Sequence, residues 1–162
     1  MNSKIQKFQF LPFIICLLIP LAIGALGSFF TFESVNTWYI TLNKPSFNPP
    51  NGIFGPVWTT LFTLMGISSY WVWQKRKVII GYHWALFTYL LQLVLNLMWS
   101  FLFFYQRQIE LALIEIIILL ITIITTAFLF YRIDKRAGLL FIPYIIWVSF
   151  ASYLTYSIYI LN

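Results

Sequence analysis

The chain has one cysteine, one histidine and four acidic residues among its 162 positions, and each scarcity closes off some chemistry. Cys16 alone permits no intramolecular disulfide. His83 alone, with Cys16 far off, leaves no cluster at metal-ligand spacing and no obvious deep axial ligand for haem. There is no nucleophile–base–orienter set and no glycine-rich phosphate loop, so no catalytic or metal-ligating residue is assigned. Charge is scarce too: 9% of residues are charged, against about 25% in a soluble domain. Water is not the main solvent of this chain.

What it has instead is apolar length. With 61% hydrophobic residues, one buried core cannot absorb the surface, and spans of about 20 residues need lipid around them. Five segments read as membrane-crossing helices: 8–30, 53–73, 78–105, 109–131 and 139–161. The expected fold is an all-α membrane protein, one domain over 1–162, built as a single bundle of five transmembrane helices. No internal repeat is visible. Pro12 and Pro20 are expected to kink the first helix, and Gly24-xxx-Ser28 to let a neighbour approach. That first segment has the basic start and small-residue end of a signal peptide, but its apolar run is long, and it is expected to be retained.

Basic residues set the expected orientation. Lys4, Lys7, Lys75, Arg76, Lys77, Arg132, Lys135 and Arg136 fall on one side, and only Lys44 and Arg107 on the other. The N-terminus is then cytoplasmic and the first loop lies across the membrane. This topology accounts for the net charge of +6 better than nucleic acid does, since no basic recognition helix exists.

The first loop is long, about 22 residues, and reads WYITLNKPSFNPPNGIFGPVW over 38–58. Prolines 45, 49, 50 and 56 stiffen it, with Pro56 expected in the first turn of a helix that Trp58 begins. Polar residues inside the spans fall on helical stripes: Gln92, Asn96, Trp99 and Phe103; Glu115, Thr122 and Thr126; Trp58, Phe62, Met65 and Ser69; Tyr144, Trp147, Ala151 and Thr155. Taken alone, Gln92 and Asn96 read more readily as interhelical glue than as ligand contacts, Glu115 as a protonated or snorkelling carboxyl, and Trp71, Trp73 and Trp84 as interfacial belt residues. Together, Trp58, Trp99 and Trp147 suggest an indole-walled pocket for a large, flat, mostly apolar molecule.

The order Trp38-Tyr39-xx-Leu42-xx-Pro45-xxx-Pro49-Pro50, Phe54-xxx-Trp58, Leu95-Asn96-xx-Trp99-Ser100 and Pro143-Tyr144-xx-Trp147-xx-Phe150-Ala151 resembles the tryptophan-rich sensory protein / translocator protein family, also called peripheral-type benzodiazepine receptors. The resemblance runs from about residue 20 to the end. It implies five transmembrane helices, often as a homodimer, and a pocket capped by the first loop. It implies porphyrins such as protoporphyrin IX as ligands, with no cofactor required, and a role in tetrapyrrole regulation or stress sensing. Tyr39, Trp58, Asn96, Trp99, Trp147 and Ala151 would line the pocket, with Glu115 in the acidic position; Trp38, Pro45, Pro49 and Pro50 would shape the lid. Two departures stand out: Glu115 where Asp is usual, and Leu154-Thr155 where Leu-Asn is usual. No Lys or Arg follows Tyr153, Tyr156 or Tyr159, so cholesterol binding is unsupported. The expected partners are the porphyrin or a similar flat molecule, and membrane lipid. Rival readings are light-dependent porphyrin degradation by the indoles, and a transporter or assembly partner.

Overall fold

A computed structural model describes residues 8–77 and 81–162. Lys4, Lys7 and the expected start of the third span at 78 lie outside those residues. The described chain is all-helical: α1 (Phe10–Asn36), a 3-10 turn (Tyr39–Thr41), α2 (Asn51–Gln74), α3 (Tyr82–Ser100) continuing into a π-helical turn (Phe101–Tyr105), α4 (Ile109–Ile133), the short α5 (Lys135–Leu139), and α6 (Ile142–Leu161). Five helices are long. Four stretches are long and apolar enough to cross a membrane: α1, Tyr82–Tyr105, α4 and Lys135–Leu161. The 24-residue α2 has the length for a hydrocarbon core of about 30 Å, but Thr59, Thr60, Thr63, Ser68 and Ser69 dilute its apolar character. Its exposed threonine hydroxyls donate to the carbonyl one turn back, which satisfies them without a neighbour.

Two boundaries differ from the sequence reading. α1 runs on to Asn36, because the polar stretch after Phe30 finds partners: Thr31 Oγ1 donates to the Gly27 carbonyl at 2.8 Å, and buried Ser34 donates to the Phe104 carbonyl at 2.7 Å. α2 begins at Asn51, so Trp58 lies two turns in and Pro56 sits inside the helix rather than in its first turn. The loop is thereby shortened to residues 37–50. Pro12 falls in the first turn of α1, and only Pro20 lies in its interior.

Packing explains how α1 tolerates Pro20. A proline has no N–H, so it leaves the Cys16 carbonyl one turn back without its helical donor. Gly66 of α2 packs at that point: a Cβ there would lie 3.1 Å from the Cys16 oxygen and 2.7 Å from the Leu17 Cα. Only a hydrogen fits, and it allows the Cα–H of glycine to approach the unpaired carbonyl. One turn further along, a Cβ at Gly24 would meet the Phe62 ring at 2.5 Å, so α1 and α2 fit closely at both points. Ser28 does not share that contact; it is exposed and bonds the Gly24 carbonyl.

The core gathers around α4, which packs on α3 and α6, and includes Met65, Leu93, Ile116, Leu119, Ile123, Phe130 and Phe141, each almost fully buried. Across it runs a chain of polar side chains. Asn96 Nδ2 donates to the Tyr144 hydroxyl at 3.0 Å, that hydroxyl donates to Gln92 Oε1 at 3.1 Å, and Gln92 Nε2 reaches Met65 Sδ at 3.7 Å. These bonds join α2, α3 and α6 and settle what Gln92 does: it is interhelical glue, 0% exposed.

At one end of the bundle Asp134 closes the corner between α4 and α5. Its carboxylate accepts from the Arg136 backbone N–H at 2.9 Å and pairs at 2.9 Å with Lys75, the residue that caps the end of α2. Burial raises its affinity for a proton, and the bonds from Lys75 and Arg136 outweigh that, leaving it below the usual carboxylate range. The effect is a clamp between α2 and the α4–α5 turn.

Candidate functional site: a tryptophan-walled cavity

The opposite end holds a cavity of ≈ 470 Å³, within the 300–1,000 Å³ typical of small-molecule sites. Four elements bring in residues singled out from the sequence: Tyr39 from the 3-10 turn, Trp58 from α2, Asn96 and Trp99 from α3, and Trp147 and Ala151 from α6. Six of the seven residues expected at the ligand site therefore meet around one space. Glu115 does not line it; its carboxylate is buried in the core, with no hydrogen-bond partner among the described residues.

Local structure aims these rings. Trp58 stacks on Phe62 at 5.6 Å and meets Tyr144 edge-on at 6.2 Å, while Phe54 meets Trp147 edge-on at 5.9 Å. These contacts carry aromatic bulk between α2 and α6 at the cavity's edge. Trp99 stacks on Phe103 at 5.1 Å, and the π-helical turn that follows sets Phe103 and Phe104 perpendicular, 4.9 Å apart. A π turn adds one residue to the helical step, so successive rings leave the usual stripe. The indole N–H groups of Trp99 and Trp147 are buried and have no acceptor among the described residues. Each is a donor that a native structure usually satisfies.

The wall that sequence reading missed is α1. Gly24, Gly27, Ser28, Thr31 and Val35 all line the cavity. Their helical spacing was visible, but small residues there read only as close packing. Asn51, Phe54 and Thr155 also contribute. The α2 wall is open near its start, where a Cβ at Gly52 or Gly55 would meet nothing within 4 Å.

The loop over this end is fastened at several points. The Tyr39 hydroxyl donates to Asn48 Oδ1 at 2.6 Å, and Lys44 Nζ donates to the carbonyls of Tyr39 and Leu42 at 2.7 and 3.1 Å. Burial pushes the Tyr39 hydroxyl up to about 12, against a smaller lowering by Asn48, so it is a neutral donor at ordinary pH. Asn43 and Asn162 exchange bonds: Asn43 N donates to Asn162 Oδ1 at 2.9 Å, and Asn162 Nδ2 to the Asn43 carbonyl at 3.0 Å. Phe47 stacks on Tyr153 at 5.2 Å. The loop is tied to the far end of α6. Trp38 packs edge-on against Phe103 at 5.5 Å, and neither it nor Pro45, Pro49 or Pro50 lines the cavity. His83 is exposed on α3, and no metal-ligating cluster occurs among the described residues.

The profile of the TspO/MBR family matches residues 16–161, nearly all of α1 to α6. The chain belongs to the TspO/MBR family. A tryptophan-rich protein TspO from Chlorobaculum tepidum is 42% identical over 158 residues, covering 95% of this chain and 98% of that protein. One of the same name from Archaeoglobus fulgidus is 44% identical over 156 residues, covering 94% and 97%. The human translocator protein is 34% identical over 138 residues, covering 82% and 79%. Membership, with several apolar helices, makes this TspO/MBR chain an integral membrane protein.

Proposed function

We propose that the cavity is a receptor site for porphyrins of the protoporphyrin IX class and for related flat apolar molecules. The observation that carries the reading is the meeting of Trp58, Trp99, Trp147 and Tyr39, with the amide of Asn96, around ≈ 470 Å³. Three indoles from three helices give faces on which a conjugated macrocycle stacks. Tyr39 and Asn96 give it polar fixed points, and acceptors on its rim would satisfy the unpaired indole N–H groups of Trp99 and Trp147. Glu115, away from the lining, has no place in direct contact.

The loop 37–50 is the lid in this proposal. Prolines and the Lys44, Asn48 and Asn162 bonds hold it near its closed form, so less conformational entropy is lost on binding. The basic end of the bundle faces the cytoplasm and the cavity end the opposite side, as the asymmetry of Lys and Arg favours. The protein then serves tetrapyrrole regulation or stress sensing as a binding protein. The homodimer remains an expectation of the family resemblance. Saturable quenching of tryptophan emission by protoporphyrin IX in the dark tests the site, and absence of saturation overturns it.

A further inference from the structure

The cavity-lining residues that reach the outside of the protein are confined to two stripes. On α1 they are Ala25, Ser28, Phe32 and Asn36, whose spacing puts them on one helical face. On α2 they are Asn51, Gly55 and Thr59, again one face. The lining contributed by the 3-10 turn, α3, the π-helical turn and α6 is buried or half-buried throughout. Two exposed faces that border one cavity mark an opening between their helices.

Contacts show where that slot closes. Its floor is the fit of Gly24 against Phe62, with Gly66 against Leu17 beyond it. Toward the loop the contact lapses: no atom lies within 4 Å of a Cβ built at Gly55 or Gly52. α1 leans there on α3 and the π-helical turn instead. A Cβ at Gly27 would lie 3.3 Å from Ser100 Oγ, Ser34 bonds the Phe104 carbonyl, and Phe30 meets Phe101 edge-on at 5.4 Å.

The slot faces acyl chains. The 27 residues of α1 make a helix of about 40 Å for a hydrocarbon core of about 30 Å, and the slot occupies its last third. Beside it on α1, Leu26, Phe29 and Phe32 are 54%, 81% and 79% exposed, a rim suited to lipid and not to water. Ser28 and Thr59 donate their hydroxyls to the Gly24 and Gly55 carbonyls at 2.9 and 3.0 Å, so these rim donors are already satisfied. The loop, meanwhile, is fastened to Tyr153 and Asn162 on α6 and at its end.

We propose that the cavity is filled from the bilayer: a flat apolar molecule dissolved among the acyl chains passes sideways between α1 and α2 while the loop stays shut. Gly55 on one bank, with Ala25 and Ser28 on the other, keeps the passage wide. The porphyrin reading supplies only the identity of the cargo.

The test uses a different probe, so that the passage and the porphyrin reading fail separately. Cys16 is the only native cysteine, and Cys16→Ala with Ala151→Cys puts the sole thiol inside the cavity. The full chain in liposomes is treated with pyrene maleimide, which dissolves in lipid, or with a charged maleimide confined to water. Pyrene maleimide is expected to label the thiol about tenfold faster than the charged reagent, and Gly55→Phe to slow it about fivefold. Ser28→Phe plugs the opposite bank and should do the same, which keeps the test if Gly55→Phe does not fold. Thr60→Phe, exposed on α2 but outside the lining, and the Pro49→Ala, Pro50→Ala pair in the loop should leave the rate unchanged. Equal labelling by the two reagents, no labelling by either, full speed in both plugged variants, or faster labelling in the loop variant would each overturn the passage.

Discussion

Tyr144 of α6 donates its hydroxyl to Gln92 Oε1 on α3 at 3.1 Å, and neither side chain is more than 1% exposed. The Tyr144 hydroxyl oxygen in turn accepts from Asn96, which lines the cavity, so the floor of the site is held by a bond that reaches into the core. Tyr144→Phe keeps the ring but leaves two buried amides short of a partner. A loss of about 1–3 kcal/mol is expected, seen as a lower midpoint of thermal unfolding in detergent. An unchanged midpoint would mean that the amides find other partners.

The Gly66 contact sets a steric prediction. Gly66→Ala places a methyl group 2.7 Å from the Leu17 backbone, which cannot swing aside as a side chain would. Overpacking of about 1–3 kcal/mol is expected, with α1 pushed off α2. Gly55→Ala, where no atom lies within 4 Å, is the control and should leave unfolding unchanged.

Much of this was legible from the chain because the spans obey a single period. Trp58 with Phe62, Asn96 with Trp99, and Trp147 with Ala151 each share a helical face, and those faces meet. The rest depended on contacts that periodicity does not carry. The start of α2 at Asn51 was hidden because Pro56 reads as a first-turn residue. The π-helical turn at Phe101–Tyr105 has no composition of its own; it is supported by the Ser34 bond from another helix. Glu115 was expected at the ligand from the acidic position of the family resemblance, yet its carboxylate is buried away from the cavity. The α1 wall was overlooked because glycine and serine advertise packing before they advertise a cavity.

The Asp134 clamp carries a pH dependence. Its folded pKa is lowered from 3.8, so its stabilisation is fully present above that value and is lost as the pH falls through the lower folded value. Asp134→Asn should unfold more easily by about 1 kcal/mol at neutral pH, since Lys75 is partly exposed and its attraction is screened. The difference from wild type should shrink as the pH falls below 3.8. A constant difference down to strong acid would assign the loss to packing.

The lid makes a separable claim. Pro49 and Pro50 lie outside the cavity lining, so replacing both by alanine should leave its contacts intact. A porphyrin should then bind roughly fivefold more weakly through added loop entropy, about 0.4–1 kcal/mol for each proline. Equal affinity, measured by the same fluorescence titration, would remove the loop from the binding account.

The most direct measurement compares protoporphyrin IX binding by wild type and by Ala151→Phe, followed in the dark through tryptophan emission. Ala151 lines the cavity and is half-buried, so the added ring fills the proposed site and leaves Trp58, Trp99 and Trp147 in place as reporters. Saturable quenching in wild type, weakened by tenfold or more in Ala151→Phe (about 1.4 kcal/mol), is the result predicted here. Equal affinity in the two proteins, or no saturation in wild type, would contradict a porphyrin site in this cavity.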